Sequence, residues 1–134
     1  MIDIENKVFN SLSTSLTTTF SGILVVSEQI NAPSSFPCVS IIQEDSYTDV
    51  NYTSTEHVEN VVNVVFEVNV YSNKKAKKKS ECKTIMAHIC DKFNELGFSR
   101  TFLNQMPNLV DSSIYRMVAR FVAKVDSNDT IYRR

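Results

Sequence analysis

The chain has 134 residues, 14 Lys and Arg against 15 Asp and Glu, two glycines and no tryptophan. That length can bury one core without metal or disulfide support, and the shortage of glycine argues against a glycine-rich phosphate-binding loop. No apolar run approaches the roughly 20 residues of a bilayer span, and the acidic start Met1-Ile2-Asp3-Ile4-Glu5 is not a secretory leader, so one cytoplasmic domain over 1–134 with no membrane partner is expected.

Ile4, Val8, Leu12, Leu16 and Phe20 recur every four residues, with Phe9 widening the stripe, and predict a helix over 3–20. Asp3 suits its N-cap. The run Ser13-Thr14-Ser15 and Thr17-Thr18-Thr19 is a poor helix former, so packing must hold the second half. Gly22 ends the element, and Ile23-Leu24-Val25-Val26 reads as a short buried strand. Residues 31–37, with Pro33 and Pro37 around two serines, form a surface loop. A second strand starts at Cys38. It gives way to a polar stretch, 46–60, with Tyr47 and Tyr52 as candidate anchors for a partner; loops of that length are usually functional or mobile.

Val62, Val64, Phe66, Val68 and Val70 alternate with mixed residues and predict a third strand ending at Ser72-Asn73. A second helix over about 74–96 follows from Cys82, Ile85, Met86, Ile89, Cys90, Phe93 and Leu96. Gly97 fits the left-handed residue past its end, with Phe98 closing on Phe93. Arg100–Met106 and Ser113–Val125 are two further strands, joined through Pro107-Asn108. In the last, Tyr115, Met117, Ala119, Phe121, Ala123 and Val125 face the core; Arg116, Arg120 and Lys124 share an exposed face with Val118 and Val122. The order α-β-β-β-α-β-β predicts an α+β fold, a mostly antiparallel sheet with both helices on one face.

Nothing in the pattern is arranged for catalysis. Cys82 and Cys90 lie two turns apart on one helix, about 12 Å, beyond disulfide reach. With Cys38 they read as reduced, core-filling thiols, and two histidines without C-x-x-C give no zinc site. His57 and His88 have no carboxylate and nucleophile at a motif spacing, and adjacent Glu44 and Asp45 should point to opposite faces of a strand. No enzyme, metal or cofactor is expected.

Charge is the informative feature. Residues 1–73 carry nine acids and one base, Lys7, whereas 74–134 carry thirteen bases and six acids. Such a split suits head-to-tail contacts between identical subunits unless the fold interleaves the halves. Lys74, Lys75, Lys77, Lys78 and Lys79 gather at a helix entry, where cations oppose the helix dipole. They read as a solvated end, a subunit interface or a phosphate-binding patch. Arg116 and Arg120 beside aliphatics suit a contact surface; the alternative is pairing with Glu44, Asp45 or Glu67 in the same sheet. At the terminus, Ile131, Tyr132, Arg133 and Arg134 have an interface composition and are expected to dock on a subunit or partner.

Several segments in order carry a resemblance. They are Val68-Asn69-Val70-Tyr71-Ser72-Asn73-Lys74-Lys75, Leu96-Gly97-Phe98-Ser99-Arg100, Pro107-Asn108, Ile114-Tyr115-Arg116, Ala119-Arg120-Phe121 and Ile131-Tyr132-Arg133-Arg134. Together, from about residue 38 to the end, they resemble the tail terminator, or tail completion, proteins of Gram-positive phages and prophages. The resemblance implies a structural virion protein without cofactor, assembled in the host cytoplasm and resident in the tail and neck. It implies a homo-oligomeric ring, commonly a hexamer, that caps the tail tube, stops its polymerisation and forms the head-tail joining surface. The implied partners are further copies of the chain, the tail tube protein, a head-tail connector or head-completion protein, and the sheath if the tail is contractile. Genomic DNA would only pass through the lumen. A head-completion protein of the neck and a small non-specific nucleic-acid-binding module remain the alternatives.

Overall fold

A computed structural model describes residues 3–29, 33–48, 61–107, 113–128 and 130–132. The elements in chain order are helix α1 (Glu5–Thr19), strands β1 (Leu24–Val26), β2 (Cys38–Thr48) and β3 (Val61–Ser72), helix α2 (Lys78–Leu96), and strands β4 (Ser99–Pro107), β5 (Tyr115–Asp126) and β6 (Ile131–Tyr132). The sheet order is β1-β2-β3-β5-β4, with β6 beside β5. Every pairing is antiparallel except β1 with β2, which is parallel. The fold is therefore the α+β arrangement expected, with one added short strand.

Alternation along β3 and β5 decides which face the helices cover. Val62, Val64, Phe66, Val68 and Val70 lie opposite Val125, Ala123, Phe121, Ala119 and Met117. They form one cluster with Ile4, Val8, Leu12 and Leu16 of α1 and Cys82, Ile85, Met86, Ile89 and Phe93 of α2. Both helices thus pack on the same side of the sheet. Phe93 is the centre of an aromatic group: it stacks on Phe121 at 4.1 Å between centroids and meets Phe98 edge-on at 5.1 Å. A smaller cluster of Cys38, Tyr71 and Ile114 packs with Leu24, Val26 and Phe36.

The helix ends follow from local chemistry. The N-cap is Ile4 rather than Asp3, and the Asp3 carboxylate, one position outside it, accepts the Glu5 N–H at 3.0 Å. Thr17 and Thr18 donate their hydroxyls to the Ser13 and Thr14 carbonyls four residues back, which satisfies side chains that otherwise compete with the helix. At the end of α2, the Gly97 N–H donates to Asn94 O and the Phe98 N–H to Phe93 O. Gly97 is left-handed, at φ 98. This is the closure expected from the sequence.

Three boundaries differ. Helix α2 starts at Lys78 rather than 74, because Ser72 stays in β3 opposite Tyr115 and residues 74–77 form a turn with Ala76 left-handed at φ 66. Strand β2 runs on through Ser46, Tyr47 and Thr48, because these pair with Val64, Asn63 and Val62. The rest of the expected loop, including Tyr52, lies outside the described residues. Strand β1 is half-buried rather than buried, since it is an edge strand that pairs only with β2.

Candidate functional site

The sheet face away from the helices holds a polar chain spanning β2, β3 and β5. Register places Glu67 opposite Arg120, Asn69 opposite Val118 and Tyr71 opposite Arg116. Arg120 Nε lies 3.4 Å from a Glu67 carboxylate oxygen and 3.3 Å from one of Glu44. The Asn69 amide donates to the other Glu67 oxygen at 3.1 Å, and Arg116 Nε donates to Asn69 Oδ1 at 2.9 Å. Arg116 also lies over the Tyr71 ring and Arg120 over Phe102, at 5.9 and 5.1 Å, contacts in which a guanidinium gains from the ring quadrupole. Pairing with Glu44 and Glu67 inside the sheet, one of the two alternatives for Arg120, is therefore present. Val118 and Val122 are 2 % and 5 % exposed, so the aliphatics expected at the surface are buried beside the arginines.

Glu44 reaches Arg120 because β2 bulges. The register shifts between Gln43 and Asp45, putting Gln43 opposite Phe66 and Asp45 opposite Val65. The extra residue breaks strict alternation. Glu44 and Asp45 consequently share the open face, where alternation alone put them on opposite faces. A bulge leaves no mark in an apolar/polar pattern this short.

The lysine group divides in two. Lys78, half-buried, donates to the Ser113 carbonyl at 3.2 Å. Lys74 lies 4.0 Å from Glu81, whose other carboxylate oxygen accepts the Ser72 hydroxyl at 2.6 Å. Lys75, Lys77 and Lys79 are exposed and have no ion pair among the described residues. Beside them a groove of about 380 Å³ runs between the end of α1 and the start of α2, lined by Thr19, Phe20, Lys74, Lys77, Ser80 and Glu81 among others.

The thiols are not alike. Cys38 and Cys82 are fully buried. Desolvation pushes the Cys38 thiol up to about 11 and, with the Glu81 charge adding to it, the Cys82 thiol up to about 12. Neither is a nucleophile at neutral pH. Burial also raises Tyr71 and Tyr115. Cys90 departs from the core-filling expectation: it is half-buried and accepts a long contact of 3.8 Å from Arg100. Among the described residues, no group of three or more His, Cys, Asp or Glu could hold a metal, and no helix is long and apolar enough to cross a membrane.

His88, for which the sequence showed no carboxylate and nucleophile at a motif spacing, lies on α2. It meets the Ser15 hydroxyl at 2.7 Å and the edge of Phe20 at 5.6 Å. No carboxylate bonds its ring among the described residues, so the pair ties α1 to α2 without the third group that orients a general base. Tyr47 is 47 % exposed near the end of β2, beside Asn63. Ile131 packs against the main core of its own chain, and β6 pairs with Lys124 and Val125 of β5. The Ile-Tyr pair expected to dock elsewhere thus continues its own sheet; Arg133 and Arg134 lie outside the described residues.

No protein-family model and no curated protein matches the chain. A solved structure does: the cryo-EM structure of the PVC sheath/tube terminator, in the extended state, of an extracellular contractile injection system. The superposition has a TM-score of 0.53 at 10 % identity and covers 100 % of this chain. The chain spans 60 % of that terminator's length. The likeness is one of fold.

Proposed function

We propose that the chain is a tail terminator: a structural subunit whose copies form a ring, hexameric by preference, on the finished end of a tail tube. The observation that supports this best is the shared fold, which covers the whole chain and belongs to a sheath/tube terminator. The ordered sequence segments that resemble phage tail terminators point the same way without depending on it. In this reading the ring stops tube polymerisation and offers its other side to a head-tail connector or head-completion protein. A sheath would be a further partner in a contractile tail. The protein works by shape and contact and uses no cofactor, and its place is the tail and neck of the particle.

The fold suits that role physically. Among the described residues the helices cover one side of the sheet, which leaves a second face and two strand edges, β1 and β4, for neighbours. The test is tube length. Tube protein polymerised with the purified chain should give short tubes bearing a ring at one end in electron micrographs. Tubes as long and as bare as those grown alone would reject the reading.

A further inference from the structure

Exposed charge is sorted along the strand direction. At the Ser72 end of β3 stand Lys74, Lys75, Lys77 and Lys79 with Lys83 on the next turn of α2, against one acid among the described residues, Glu81. The groove between α1 and α2 joins the end of α1 to this same lysine turn. Helix α1 therefore begins at the far end of the molecule, about 22 Å away at 1.5 Å per residue. There it presents Asp3 and Glu5. Asp45 stands opposite Val65, seven residues before Ser72, which is about 23 Å along the strand. Asp3, Glu5 and Asp45 have no ion pair among the described residues; Asp3 and Asp45 accept only backbone N–H groups. Arg120 pairs with both Glu44 and Glu67 in between. Folding thus pairs the middle of the acidic half. Lys7, Lys124 and Asp126 also stand toward the far end and already engage partners, so among the described residues that end keeps Asp3, Glu5 and Asp45 without an ion pair, opposite the basic end.

We infer that the basic turn carrying Lys75, Lys77 and Lys79 seats on the end of a second copy of this chain that carries Asp3, Glu5 and Asp45. The inference rests on the ring reading and specifies its contact. A plug and a socket at opposite ends make a heterologous interface, which closes into a ring when the rotation between copies allows. Complementary charge steers the encounter and fixes which ends meet, and exposed charges make the contact salt-sensitive. Duplex DNA is the competing occupant of a lysine turn, yet the acidic end would repel its phosphates.

Two full-length variants test this. Lys75→Glu with Lys77→Glu and Lys79→Glu removes the plug. Asp3→Asn with Glu5→Gln and Asp45→Asn removes the socket and keeps an acceptor for the Glu5 and Ser46 N–H groups. Circular dichroism verifies that each folds, and sedimentation at about 50 mM salt, where screening is weak, reads association. Each variant alone should associate at least about tenfold more weakly than the native chain. Mixed, they should form one-to-one pairs that do not grow, because each supplies the end the other lacks. Variants that assemble as the native chain does, or that fail to pair when mixed, overturn the inference; a native ring would leave the capping reading standing. A native chain that stays monomeric and leaves tube length unchanged removes both. Loss of duplex DNA retention in the lysine variant with native self-association would assign the turn to phosphates and overturn the inference.

Discussion

Two residues with left-handed backbone bracket α2, and they have opposite consequences. Gly97 at φ 98 carries the helix closure, and it is buried. A Cβ there would meet the steric cost of the left-handed region, about 1–2 kcal/mol, so Gly97→Ala should lower unfolding free energy by at least that amount. Ala76 already bears such a conformation at φ 66, in an exposed turn. Ala76→Gly should therefore raise stability by about 0.5–1 kcal/mol despite the added chain entropy of glycine. Urea titration of both variants checks the pair. A glycine that destabilises at 76 would show that the turn prefers its alanine. The contrast was half visible in sequence: a glycine after an amphipathic run announces itself, whereas nothing about Lys75-Ala76-Lys77 does.

Strand β6 is a piece of structure that carries a stability prediction of its own. It pairs with β5 just past the stretch covered by β4, and its Ile131 touches the main core. A chain ended after Asp129 should fold with about 1–2 kcal/mol less stability, the scale of one partly buried aliphatic side chain. Equal stability would mean that the pairing contributes nothing. The pattern of helices and strands was legible because periodicity reports burial: β3 and β5 read at period two and α2 at 3.6. Parallel pairing of β1 was not, since a three-residue edge strand shows no direction. The bulge at Glu44 and the Ser15–His88 contact were hidden for a related reason. Both depend on which elements meet, and local spacing holds no record of that. The arginines were recognised as special, while their partners Asn69, Tyr71 and Phe102 were ordinary strand residues until register brought them together.

At the scale of the whole molecule, one sheet separates two apolar clusters, and a buried thiol sits in each: Cys82 in the large one and Cys38 in the small one. The Cys82 thiol lies 3.7 Å from the carbonyls of both Val70 and Tyr115, so it marks where the start of α2 meets the two central strands, β3 and β5, near their Ser72 end. Both thiols titrate far above the ordinary range, at about 11 for Cys38 and about 12 for Cys82, because burial penalises the thiolate. An acid whose folded pKa is raised stabilises the fold fully below its unfolded value, roughly 8.5 for a thiol, and the advantage is lost as pH climbs toward the folded value. The unfolded chain gives up these protons first. Stability should then fall by about 1–2 kcal/mol per buried thiol between pH 8 and pH 10. The raised Tyr71 and Tyr115 act in the same direction at higher pH. Urea midpoints across this range measure the slope, and Cys82→Ala isolates one share of it. The variant begins less stable, from the lost sulfur, but loses less on going from pH 8 to pH 10 than the native chain does. Parallel losses in the two proteins would show that Cys82 is not held protonated by the core.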